Sequence, residues 1–141
     1  MVFGMTTTIA DLEAPPPEWT VVVQRLPSGT GRCLWSARQI ILDDRLTAPQ
    51  ARCTLAHEIL HARRGAVPQW QHEREESLIG QTVARTLISL ESLVHALQWS
   101  TDILEVADEL GVDDHTLAVR LEHLHPSEQA ALNTRLADVT R

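Results

Sequence analysis

Hydrophobic positions along this chain change their period near residue 45. Before it, short runs rich in Val, Ile and Thr lie between turn residues, which is the pattern of strands. Residues 19–26 form the first run, the turn segment Pro27-Ser28-Gly29-Thr30-Gly31 follows, residues 32–35 form the second and residues 39–42 the third, ending at Asp43-Asp44. These runs predict a small three-stranded antiparallel meander. After it, apolar residues recur every three or four positions, the pattern of amphipathic helices. Thr47 as N-cap, Pro49 in the first turn and Gln50 at the capping-box position open one helix, and Leu55, Ile59 and Ala62 give it an apolar stripe. Arg63 and Arg64 lie in its last turn, Gly65 caps it and Pro68 blocks continuation. A polar loop over residues 69–73 leads into a helical stretch over 74–99, which Ser89 breaks or re-caps. Thr101 or Asp102 starts the next helix, which stops at Gly111. Asp113 or Asp114 caps another, ending near Leu124, and Pro126-Ser127 opens a last one reaching about Val139. Strands followed by helices predict an α+β fold with the helices on one side of the sheet. Residues 1–18, with Pro15-Pro16-Pro17, read as a flexible tail, and Met5 is an alternative start.

The first helix carries His57-Glu58-Ile59-Leu60-His61, an HExxH motif. Residues four apart share one helix face, so His57 and His61 can offer two imidazole nitrogens to one metal ion. Glu58 projects beside them and can take a proton from a metal-bound water. This is the half-site of a zinc metallopeptidase. Two surface histidines bracketing a glutamate are the plainer alternative, and the placement in mid-helix favours the metal.

A catalytic zinc takes three protein ligands and a water. The next acids and imidazoles along the chain are His72, Glu73, Glu75 and Glu76. Ile79, Val83, Leu87 and Leu90 form an inward stripe, and Glu76, three residues before Ile79, extends it by a turn. Glu76 is the first choice of third ligand, followed by Glu73 and then His72. Glu75 fits better as a solvated acid at a helix start. Cys53 shares the face of the two histidines, but a fourth protein ligand would close the site, so Cys53 and Cys33 read as small buried hydrophobes. The chain contains no Tyr, so any side chain stabilising a developing oxyanion would be His95, His72 or an Arg. His115, His123 and His125 read as surface or capping residues.

Charge changes the reading of the C-terminal part. The 141 residues carry a net charge of −7, and all 12 basic residues are Arg. Residues 101–141 hold nine acids against three Arg. Residues 103–124 have helix-turn-helix spacing, with Ala107, Gly111 and Leu117 at the packing and turn positions. The second helix of that unit carries Asp113, Asp114 and Glu122 against Arg120 alone, a surface that repels phosphate. Direct nucleic-acid binding is therefore disfavoured, and the segment reads as a packing or partner-docking module. No run of 18 apolar residues and no basic-then-apolar leader occurs, so a membrane span and a signal peptide are not expected. Two cysteines make no disulfide scaffold, and a cytoplasmic location is expected. The size fits one domain, divided into the tail 1–18, a catalytic part 19–100 and a helical extension 101–141 packed on it.

The segments TLAHEILHARRG at 54–65 and EREESLIGQTVARTLISLESL at 73–93 resemble the ImmA/IrrE family of metallopeptidases, often encoded by phages and mobile elements. Members commonly follow HExxH with a glutamate that opens a helix ending in a Leu-Leu-x-Pro-like sequence. Glu76, Ala84 and Leu87-Ile88 fall at those spacings, with Ser89 near the usual Pro. Leu78, Ile79 and Gly80 replace the family's second acid and Ala-Asn. The resemblance spans roughly residues 19–125 and implies a zinc-dependent endopeptidase. Its substrate would be a regulatory protein, often a helix-turn-helix repressor. On this expectation His57, His61 and Glu76 hold Zn²⁺, Glu58 is the general base, and an edge of the meander takes the substrate as an added strand. The alternative is a non-catalytic, metal-containing regulatory module that binds a partner transcription factor.

Overall fold

The computed structural model describes residues 6–137, so Met5 and Val139 lie outside the described part. Three strands, β1 (Thr20–Gln24), β2 (Gly31–Leu34) and β3 (Gln39–Asp43), precede six helices. The helices are α1 (Ala48–Arg64), α2 (His72–Leu87), α3 (Leu90–Trp99), α4 (Ile103–Leu110), α5 (Asp114–Glu122) and α6 (Pro126–Ala137). The fold is α+β, as the hydrophobic pattern predicts. The sheet, however, is mixed rather than an antiparallel meander. Its order is β1-β3-β2, with β1 parallel to β3 (Val22 beside Ile41) and β2 antiparallel to it (Cys33 beside Ile40). The reason lies in β3, where Ile40, Ile41, Leu42 and Asp43 are all buried. A strand covered on both faces belongs in the middle of a sheet, so the chain crosses from one edge to the other before inserting β3 between them.

The residues expected to form a loose tail are partly docked. A short 3-10 turn over Ala10–Leu12 seats Leu12, 2% exposed, in the main core, and Arg63 of α1 donates to the Asp11 carbonyl at 3.2 Å. Burial of that side chain favours docking of the turn on α1 by roughly 2 kcal/mol. The expected polar loop over 69–73 is likewise shorter. A 3-10 turn over Gln69–Gln71 runs straight into α2 at His72.

The helix boundaries follow the local chemistry. Thr47 and Gln50 form the capping box of α1. Ser89 caps α3, Asp102 caps α4, and Asp113 caps α5 by accepting from the Thr116 backbone N–H. Gly111, at φ 69°, ends α4 in the left-handed conformation that glycine adopts at no steric cost. Ile40, Ile59, Ile79, Leu93, Val94, Val106 and Leu117 are fully buried and join sheet and helices in one core. Among the described residues no helix is long and apolar enough to cross a membrane.

Arg120, 2% exposed, turns inward from α5. Its Nε donates to the Ile88 carbonyl at 2.9 Å and its Nη2 to Glu128 at 2.8 Å, while Arg85 of α2 reaches the same carboxylate at 2.9 and 3.0 Å. The hydrogen bonds from Arg120 and Arg85 hold the Glu128 carboxyl well below the usual carboxylate range. The one Arg of the helix-turn-helix-like segment is thus inside the fold, with no charge presented to solvent.

Removing one partner of a buried ion pair leaves the other uncompensated, so Glu128→Ala should destabilise the fold by about 3–5 kcal/mol in urea denaturation. The folded state keeps Glu128 ionised to lower pH than the unfolded chain does. Its stabilisation is therefore complete above the ordinary glutamate value of about 4.3 and is lost as pH falls below it. Denaturation midpoints measured between neutral and acid pH should fall less in Glu128→Ala than in wild type, the remaining fall coming from the other ion-paired carboxylates such as Asp43 and Glu75.

Candidate metal centre

Helix α1 places His57 and His61 one turn apart with ring centroids 5.0 Å from each other. The start of the second turn of α2 brings Glu76 across both rings. Its two carboxylate oxygens lie 2.7 Å from His57 Nε2 and 2.6 Å from His61 Nε2. One ligand atom from each of the three side chains falls within 4.8 Å of the others, as a shared ion requires. Glu73 is exposed and outside this group, and His72 lies at its rim, Nε2 3.9 Å from Glu76. Cys53 is buried as expected and is not part of the group.

Glu75 sets the angle of α2. It is buried rather than solvated and takes a two-pronged ion pair from Arg64, at 2.7 and 2.9 Å. The sequence reading took Glu75 as solvated although it lies four residues before Ile79 on the inward row; the partner in the last turn of α1 is what lets a charged group be buried there. Consecutive helix residues point about 100° apart, so fixing Glu75 on Arg64 aims Glu76 at the histidines.

Electrostatics favour a cation. Burial lowers the His57 pKa, against the pull of Glu76, and so favours a neutral ring. Burial pushes Glu76 up, but the two imidazoles outweigh it and hold its carboxyl below the ordinary value. Neutral imidazoles and an ionised carboxylate are the forms that ligate a metal, and two nitrogens with one oxygen suit zinc.

Glu58 is buried beside the group. Desolvation, with the charge of Glu76 added, raises its pKa to about 7. Gly31 at the start of β2 covers it. A Cβ on Gly31 would stand 2.6 Å from Thr54 Cγ2 and 3.1 Å from Glu58 Cγ, so only glycine fits without displacing them. On the same strand, burial and then the Glu58 charge push the Cys33 thiol up to about 12, leaving it protonated and inert.

Trp35 is a further residue that sequence reasoning did not single out. Its indole N–H donates to the His61 carbonyl at 3.0 Å, and its ring meets the His61 ring edge-on. The same carbonyl accepts the Gly65 N–H at 2.9 Å. Nothing local marks this role, because the contact joins residues 26 apart in the chain.

A cleft of ≈ 580 Å³ opens on Glu58, His57 and Glu76. The first half of α1 forms its floor, α2 one wall and α5 the other. His115 and His123 line the α5 wall, and His123 Nδ1 donates to the Val119 carbonyl at 2.9 Å. Both are exposed, as expected, but the cleft makes His115 a candidate site residue that its sequence position did not reveal. His95 is exposed in a separate depression beside Glu91 and Glu109, away from the metal group. It sits one turn past Glu91 on α3, which packs on α4 and α6 rather than on α1. His125 is exposed near the start of α6.

Residues 20–122 match the family model described as the IrrE N-terminal-like domain, Peptidase_M78. No curated protein and no solved structure matches the chain. The matched span takes in the sheet, the metal group and the α5 wall alike.

Glu76→Ala should weaken zinc binding by more than roughly 100-fold, beyond the effect typical of residues that only support a ligand. Chelator competition on the purified protein measures it. The same variant should lose the rise in melting temperature that zinc gives to wild type.

Proposed function

This chain belongs to the family of IrrE N-terminal-like domains, Peptidase_M78, and so carries a metallopeptidase-type domain; from that premise we propose that it is a zinc-dependent endopeptidase acting on a regulatory protein, with Glu58 as general base. The observation that carries this reading is the convergence of His57, His61 and Glu76, of which His57 and Glu76 line a cleft together with the buried carboxyl of Glu58.

When bound, zinc supplies Lewis acidity toward a water and toward the scissile carbonyl. The chain's own groups do the rest. Glu58, poised at about 7, accepts a proton from the attacking water and returns it to the leaving amine. Gly31 packs closely over that side chain, leaving no room for a Cβ. His115, on the facing wall, is the donor we assign to the carbonyl oxygen as it gains negative charge, in place of His95. The outer edge of β2 is unpaired within the sheet, and its Gly31 end adjoins Glu58. An extended substrate segment can add to that edge through main-chain hydrogen bonds. The regulatory substrate, a helix-turn-helix repressor for example, rests on the family resemblance and on the peptide-sized cleft.

Glu58→Gln keeps the shape of the side chain and removes the base. It should retain zinc and lose on the order of 10²–10⁴-fold in turnover. Unchanged cleavage in this variant would sink the mechanism. A wild type that holds zinc and a partner transcription factor without cutting it would favour a binding module instead. Gly31→Ala should also retain zinc, while the displaced Glu58 lowers kcat by roughly 10–100-fold; comparing metal content with kcat in one preparation tests both expectations.

A further inference from the structure

Gly80 lies in the interior of α2, where glycine weakens a helix relative to alanine. Such a residue usually makes way for a neighbouring backbone or side chain. Here it does not: a Cβ built on Gly80 meets no atom within 4 Å. What the missing side chain leaves open is the cleft, which Gly80 lines.

Helix geometry fixes where that opening stands relative to the metal group. Gly80 is four residues after Glu76, on the same face of α2, and Val83 continues that face. On α1, Cys53 and Thr54 are four and three residues before His57. Both helices thus lead away from the ligands on the same side of the site, one turn or about 5.4 Å along each. Thr116 and Val119 of α5 close the third side. Cys53, Thr54, Gly80, Val83, Thr116 and Val119 carry no charge and frame the part of the cleft around Gly80, with the almost fully buried Cys53 and Val83 and the half-buried Val119 supplying its apolar atoms, while Asp113, Asp114, His115 and His123 line the same cleft.

We propose that Gly80 is a specificity-determining position, whose bare backbone opens a slot beside the metal group for a bulky apolar side chain adjacent to the scissile bond. This rests on the metallopeptidase reading. A Leu or Phe side chain of the substrate enters between α2 and α5 and loses its contact with water there. A larger residue at position 80 fills the same volume.

The test uses the full zinc-loaded chain and two probes, the hydroxamates of N-acetylglycine and N-acetyl-leucine, titrated by calorimetry. The hydroxamate group ligates the metal, and the two probes differ only in the side chain offered to the slot. Wild type should bind the leucine probe roughly tenfold more tightly or better, the increment expected for burying an aliphatic side chain. Gly80→Leu should lose that preference, keep its affinity for the glycine probe and melt no lower than wild type. Gly80→Ala, the smallest change, should raise the melting temperature by about 3 °C, since it removes the helix penalty without a clash. Val119→Phe narrows the slot from the opposite wall and should erase the preference independently of α2. Equal affinity of wild type for the two probes, or a preference that survives both Gly80→Leu and Val119→Phe, overturns the slot alone. Failure of both probes to bind zinc-loaded wild type overturns the metallopeptidase reading and the slot with it.

Discussion

The seating of the first two turns of α2 on the last two turns of α1 is the constraint on which the site depends. Three contacts set it. Glu75 pairs with Arg64, Ile79 is fully buried in the core, and Glu76 spans His57 and His61. The first two are structural and would hold α2 in register without any ion. The third is a carboxylate held against two imidazoles, and it gains its purpose when a cation replaces those hydrogen bonds. A ligand group organised in advance pays little ordering entropy on binding.

Around that contact, α1 is gripped from several directions, and each neighbour acts on a different part of the motif. Trp35 fixes the carbonyl at the end of the motif. Gly31 presses on Glu58 from the sheet. Arg52, earlier on α1, donates to the Gly111 carbonyl at 2.9 Å and so ties the α4–α5 turn to the same helix. The result is a helix whose apolar face packs in the core through Ala56, Ile59 and Leu60. Its polar face is shaped by residues that approach from the sheet and from α5.

The C-terminal segment shows how similar spacing can serve a different end. Helices α4 and α5 keep the packing residues and glycine turn of a helix-turn-helix, and Val106, Ala107 and Leu117 are buried as that motif requires. Yet Arg120 is drawn inside to Ile88 and Glu128, so the second helix faces outward with Asp114, Glu122 and two histidines. That helix packs on α2 and walls the cleft. Of the acids in residues 101–141, Asp113 and Asp114 line that cleft.

The order of elements, the capped ends of the helices and the pairing of His57 with His61 were legible in the sequence, because each depends on residues within a few positions of one another. Thr47 with Gln50, Ser89 with Ser92 and Asp113 with Thr116 are local hydrogen bonds, and their residue types announce them. The apolar stripe of α2 put Glu75 and Glu76 on its inward side, but only the Arg64 partner of Glu75 separates their roles. The parallel pairing of β1 with β3 was not read, although the unbroken apolar run of β3 hinted at a central strand. Burial of Glu75, the clamp of Trp35 on His61, the docking of Leu12 and the placing of His115, not His95, in the cleft depend on contacts between distant parts of the chain. Local propensity determined what each segment would be. Only tertiary packing decided which polar side chains would share a desolvated space, because that depends on how whole helices rotate against one another to bury their apolar faces.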